Sequence, residues 1–205
     1  MDLGVEGTNV NTTLTLPHDR WILFAWGRGV GPAILYWGEL VLFVVIALAL
    51  GRLRRTPLRT RDWLLLGLGL STFSWWVLIV FGAWLFLLDR RPGLKIEKRW
   101  QFNSAQALLA LFSIAALGVL VSAIPYGLLG EPDMGMIIGY AGLPWFVDRT
   151  AATLPQPFVL SVSIWFYKLA MLLWALWLSF ALLRWLPWAW RQYASEGVWR
   201  GREAG

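Results

Sequence analysis

WLLLGLGLSTFSWWVLIVFGAWLFLL, residues Trp63 to Leu88, is apolar throughout and carries arginine-rich sequence at both ends. Arg52, Arg54, Arg55, Arg59 and Arg61 precede it, and Arg90, Arg91, Lys95, Lys98 and Arg99 follow. Positive charge in short loops marks the cytoplasmic side of a membrane, so a simple crossing helix should not be basic on both flanks. As one straight helix the run measures roughly 39 Å, against a hydrocarbon core of roughly 30 Å. Tilt absorbs such an excess. Yet Gly67, Gly69, Ser71, Thr72 and Ser74 crowd its first half, and Ser71 or Thr72 suits the N-cap of a second half-helix. Two half-helices of about 11 to 13 residues make a re-entrant hairpin, provided its turn is buried against protein.

The charges outside this run favour re-entry. A first span is expected at about 30–50, with Pro32 in its first turn; Asp2, Glu6 and Asp19 lie before it. A third apolar segment covers about 104–124 and stops at Pro125. The connection 125–157 holds Glu131, Asp133 and Asp148 against Arg149. Within it, Met134 to Val147 is apolar but too short to span, which suits an interfacial segment. The last span is expected at about 158–183, followed by Arg184, Arg191, Arg200 and Arg202. If 63–88 crossed, the basic loop 89–103 and the basic tail would lie outside and the acidic loop inside. If it re-enters, every basic segment is cytoplasmic and every acidic one is outside.

The expectation is therefore an all-α integral membrane protein: three transmembrane helices plus one re-entrant or tilted helical segment, four apolar segments in total. Residues 1–29 form a short extracytoplasmic segment. Residues 30–205 form the membrane domain, with 125–157 as outer loop and 184–205 as cytoplasmic tail, its 184–194 part lying at the interface.

Composition agrees. The chain of 205 residues is 58% hydrophobic and 15% charged, where soluble domains carry about a quarter charged residues; its mean hydropathy is +0.58. The net charge of +6 sits beside apolar runs, where orientation signals and anionic lipids act, and leaves no basic domain for nucleic acid. Cysteine is absent, which excludes disulfides, thiolate catalysis and iron–sulfur ligation. The single histidine, His18, excludes bis-His haem and three-histidine or HExxH metal sites. No metal and no cofactor is expected. Many of the 16 tryptophans lie near the ends of apolar runs, as an aromatic belt requires. MDLGVEGTNVN has neither a basic n-region nor an apolar h-region, so no cleavable signal peptide is expected.

Val10 to Leu16 is threonine-rich and ends at Pro17, a strand signature. A lone strand is not stable. It needs a partner outside the chain, a membrane surface, or the remainder of a larger domain.

Glu39 and Lys168 are the formally charged residues well inside the expected spans. An intramembrane charge costs at least about 2.5–3.5 kcal/mol on insertion scales and usually has a partner. Counted from Val30 and Phe158, both lie roughly 14–15 Å along their helices, so a Glu39–Lys168 pair is the leading candidate site. It is either a register-setting ion pair or part of a proton or ion path. Gln106, Ser161 and Ser163, with Ser113 and Ser122, could line that path or serve as interhelical hydrogen bonders. His18-Asp19-Arg20 reads as a polar juxtamembrane cap before the Trp21 anchor. Gly27 and Gly31 fit a small-residue helix-packing motif. No serine–histidine arrangement and no paired intramembrane carboxylates occur, so no catalytic residue is assigned and an enzyme is not expected.

LPHDRWILFAWGRGVGPAILYWGEL (16–40) followed by TPLRTRDWLLLGLGLS (56–71) resembles the membrane-embedded C-terminal region of large, uncharacterised proteobacterial envelope proteins. The resemblance covers about 14–90 and carries no catalytic motif. It implies placement in an inner membrane after an extracytoplasmic β-rich part. The function expected is a non-catalytic integral membrane subunit or anchor of a bacterial inner-membrane complex. Its N-terminus would lie outside and its C-terminus in the cytoplasm. Its partners would be the bilayer and other membrane or extracytoplasmic subunits, not nucleic acid. The alternative is a small transporter or proton- or ion-conducting component built on Glu39 and Lys168. An enzyme acting on lipid comes third.

Overall fold

The computed structural model describes residues 7–17, 19–31, 34–52, 56–71, 75–94, 96–132, 134, 142–150 and 156–200. The chain divides into two compact units, 1–39 with 131–170, and 40–130 with 171–205. Among the described residues there are four strands and five α-helices. Two of these helices are long and apolar enough to cross a membrane. The expected all-α, three-span architecture is therefore wrong: part of the apolar sequence is β-structure, and part is in helices too short to span.

In the first unit, β1 (Gly7–Leu14) pairs antiparallel with β3 (Leu143–Thr150), placing Val10 opposite Val147, Thr12 opposite Trp145 and Leu14 opposite Leu143. Leu143, Trp145 and Val147 are buried while Pro144, Phe146 and Asp148 are exposed, the alternation of a half-buried strand. The threonine-rich strand thus finds its partner within the chain, in the stretch expected to lie at the membrane interface. Residues 135–141 of that stretch fall outside the described residues. Val30 bridges to Phe146 through hydrogen bonds of 2.7 and 2.8 Å.

β2 (Arg20–Trp26) pairs antiparallel with β4 (Phe158–Ser163), with an irregularity between Ile22 and Phe24. Phe158–Ser163, expected at the start of the last span, is therefore a strand. A short apolar run does not distinguish a strand from a buried helix, and here Val159 and Val162 favour extended backbone. Gly27 and Gly31, which fit a helix-packing motif in sequence, lie in the loop after β2 and not on a helix. A Cβ on Gly31 would fall on the Trp145 ring, and one on Gly27 would come within 2.9 Å of it. Gly29 has φ +111°, a conformation open to glycine at little cost. The loop therefore wraps the buried Trp145 indole, whose Nε1 donates to the Arg28 carbonyl at 2.9 Å.

α1 (Tyr36–Arg52) and α5 (Ile164–Tyr193) both begin in the first unit and end in the second. The second unit also holds α2 (Thr60–Leu70), α3 (Trp75–Arg90) and α4 (Arg99–Leu129). The run 63–88 is thus two helices. Ser71 closes α2, its N–H bonding the Gly67 carbonyl at 2.9 Å and its hydroxyl the Leu68 carbonyl at 3.0 Å. Ser71 is accordingly a C-cap and not the expected N-cap; Thr72 lies outside the described residues. A Cβ on Gly82 would sit 3.8 Å from the Trp63 ring, so α3 runs back along α2. At 1.5 Å per residue the two helices span roughly 16 and 24 Å, each short of a roughly 30 Å hydrocarbon core.

Pro125, expected to end a span, lies inside α4, and Pro187 lies inside α5. Both are exposed, and the loss of one backbone bond is tolerated when the rest of the helix continues. Residues 184–193 therefore extend α5 as continuous helix. The core of this unit is set by Trp63, Leu66, Phe81, Leu85, Leu120 and Leu178, each at most 1% exposed.

Candidate functional site

The densest polar arrangement in the second unit lies where α3 ends and α4 begins. Arg91 opens a 3₁₀ turn, Arg91–Gly93, and is only 3% exposed. Its Nε donates to Gln106 Oε1 at 3.1 Å and its Nη1 to Glu196 at 3.4 Å. Gln106, fully buried, donates in turn to the Tyr193 carbonyl at 2.8 Å. Asn103 and Arg200 exchange two bonds, Nδ2 to the Arg200 carbonyl at 3.2 Å and the Arg200 N–H to Oδ1 at 3.1 Å. Arg200 Nη1 also donates to the Ile96 carbonyl at 2.6 Å. The Phe102 ring meets both guanidinium groups, with centroid distances of 4.7 Å to Arg91 and 4.1 Å to Arg200.

This cluster fastens the tail after α5 to the first turns of α4. It has a surplus of positive charge, because Glu196 serves both arginines, at 3.4 Å from Arg91 and 3.9 Å from Arg200. A buried cation is costly unless paired and hydrogen-bonded, and Arg91 is incompletely satisfied. Its Nη2 is buried with no hydrogen-bond partner among the described residues.

Two concavities flank the cluster. A groove of about 350 Å³ is lined by Trp84, Leu88, Ala110, Ile114, Ala189 and Tyr193, among other apolar residues. Its polar group Ser113 accepts from Trp84 Nε1 at 2.8 Å and donates to the Leu109 carbonyl at 2.7 Å. A cleft of about 700 Å³ at the start of α4 is lined by Lys98, Arg99, Trp100, Asn103, Ala107 and Trp199. Elsewhere in this unit, buried Asp62 accepts from the Arg59 N–H at 2.9 Å and lies 3.9 Å from Arg184.

The residues singled out from the sequence are placed differently. Glu39 is in the first turn of α1 and exposed. Lys168 is near the start of α5, its Nζ 5.6 Å from the Trp165 ring centroid. No ion pair within 4.0 Å joins them among the described residues. Their helices begin at Tyr36 and Ile164, later than Val30 and Phe158, so the depth counted from those residues does not apply. Ser161 and Ser163 lie on β4, opposite Ile22 and Arg20, and not on a helix. Ser122 bonds the Val119 carbonyl at 2.7 Å, and Gln106 belongs to the Arg91 cluster. His18 lies outside the described residues.

Arg91 and Arg200 were missed because charge counting treats every loop cation as an orientation signal, and Asn103 and Glu196 because their partners are distant in sequence. The available hints were Pro92-Gly93 directly after Arg91, which forces a tight turn, and an acid in a basic tail. Among the described residues no group of three histidine, cysteine or acidic side chains gathers to hold a metal. No known protein family, curated protein or solved structure matches the chain.

Proposed function

We propose that this protein is a non-catalytic membrane subunit or anchor of a bacterial inner-membrane complex, held in the bilayer by α4 and α5. The observation that supports this best is exposure: only 17% of the most apolar window of α4 is buried. Leu108, Leu111 and Ile114 are each at least 65% exposed. A helix apolar all round belongs in a protein core or in lipid, and most of this one's apolar surface lies outside the core that Leu120 joins. In α5 the corresponding share is 39%. In this reading the end of the second unit carrying Arg90, Arg91, Lys98, Arg99, Arg191 and Arg200 faces the cytoplasm. The subunit role draws on the strands, since among the described residues β1 pairs with β3 along one edge only and a free edge can accept a partner strand.

Membrane fractionation with alkaline extraction, then purification in mild detergent with identification of co-purifying chains, tests both parts. The protein should resist alkali and bring partners with it. Release by alkali overturns the membrane placement; a monodisperse lone chain overturns the subunit role.

A further inference from the structure

Asn103, Ala107, Ala110 and Ile114 follow at helical spacing along one stripe of α4. The first two line the cleft and the last two the groove. The concavities are therefore successive along the same helix face, a cationic one at its start and an apolar one beyond it. Lys98 and Arg99 are exposed and in no ion pair within 4.0 Å among the described residues, and no acid occupies the first turn of α4. The Arg91–Arg200 cluster beside the cleft, with Glu196 shared between two guanidinium groups, adds to this charge. Arg91 is joined through Gln106 to Tyr193, a wall residue of the groove. From Ala110 to Leu117 the groove follows α4 for roughly 10 Å.

We infer that this face binds a phospholipid with an anionic headgroup, its phosphate in the cleft against Lys98 and Arg99 and one acyl chain along Ala110 and Ile114. Charge complementarity selects the anionic lipid. A zwitterionic lipid fills the apolar groove equally well but leaves the local positive charge uncompensated, and basic pockets beside transmembrane helices favour anionic headgroups. Trp100 and Trp199 at the cleft stand where headgroup-level indoles are expected. This site rests on the membrane placement of α4 and α5.

The test uses the full chain in phosphatidylcholine vesicles holding a minor fraction of phosphatidylglycerol, with bromine on the acyl chains of one lipid or the other. Trp84 and Trp190 line the groove and report brominated chains by quenching. The apparent affinity for phosphatidylglycerol should exceed that for phosphatidylcholine roughly fivefold for each cation engaged. Lys98→Gln with Arg99→Gln should remove that preference. Ala110→Phe, which fills the groove and leaves the Arg91 cluster alone, should lower groove quenching by both lipids. Equal affinity for the two lipids in the unaltered protein, a full preference in the Lys98→Gln/Arg99→Gln variant, or undiminished groove quenching in Ala110→Phe overturns the site. A protein that does not float with the vesicles overturns the membrane placement itself, a result distinguishable from vesicle binding without preference.

Discussion

Gln106 shows what a single buried amide does in an apolar helix. It accepts from Arg91 and donates to the Tyr193 carbonyl, so it links the end of α3 and the end of α5 to α4. Gln106→Leu should cost about 1–3 kcal/mol by stranding the buried Arg91 Nε, read as a lower midpoint of thermal unfolding in detergent. Arg91→Met added to it should recover part of that loss, because the stranded charge is then removed as well. Gly31 is a second such position. Gly31→Ala should cost about 1–3 kcal/mol, because the new methyl meets the Trp145 ring and overpacks the site. Gly38→Ala, with nothing within 4 Å, should be neutral or stabilising by the same measurement.

The helices and strands show where the sequence could be read and where it misled. The doubly basic flanks and the glycine–serine cluster marked a discontinuity within 63–88, and the chain does break there, between Leu70 and Trp75. Spin labels at Leu64 and Phe86 should report neighbouring positions, whereas one straight helix would hold them roughly 33 Å apart. Gly69→Leu should loosen α2 from α5, since even a Cβ there falls on the Trp174 ring. It should also weaken the 2.8 Å bond from Trp174 Nε1 to the Leu65 carbonyl, seen as a red-shifted indole emission. The strand β1 was legible from its threonines, but its partner was not. Leu143–Thr150 is more than a hundred residues away, and nothing local records a cross-strand register set by long-range pairing. β4 was absorbed into a span because hydropathy alone does not carry the distinction between extended and helical apolar sequence.

For the chain as a unit, absence of cysteine makes topology directly measurable. Leu94→Cys and Val198→Cys should both be labelled by an impermeant thiol reagent from the cytoplasmic side alone, because both lie at the basic end of the second unit. Labelling of either position from the outside would refute the proposed orientation. Apolar content, basic clustering, the break in 63–88 and the excluded cofactor chemistries could all be read from composition and spacing, since these follow from local transfer free energies and chain geometry. What only the tertiary structure decided was pairing: β1 with β3, β2 with β4, Arg91 with Gln106 and Glu196, and Glu39 without Lys168. Each depends on which distant segments share a neighbourhood. A linear reading placed Glu39 and Lys168 at equal depth by counting from apolar boundaries. The fold began their helices later and assembled its buried polar cluster from cations that looked like orientation signals.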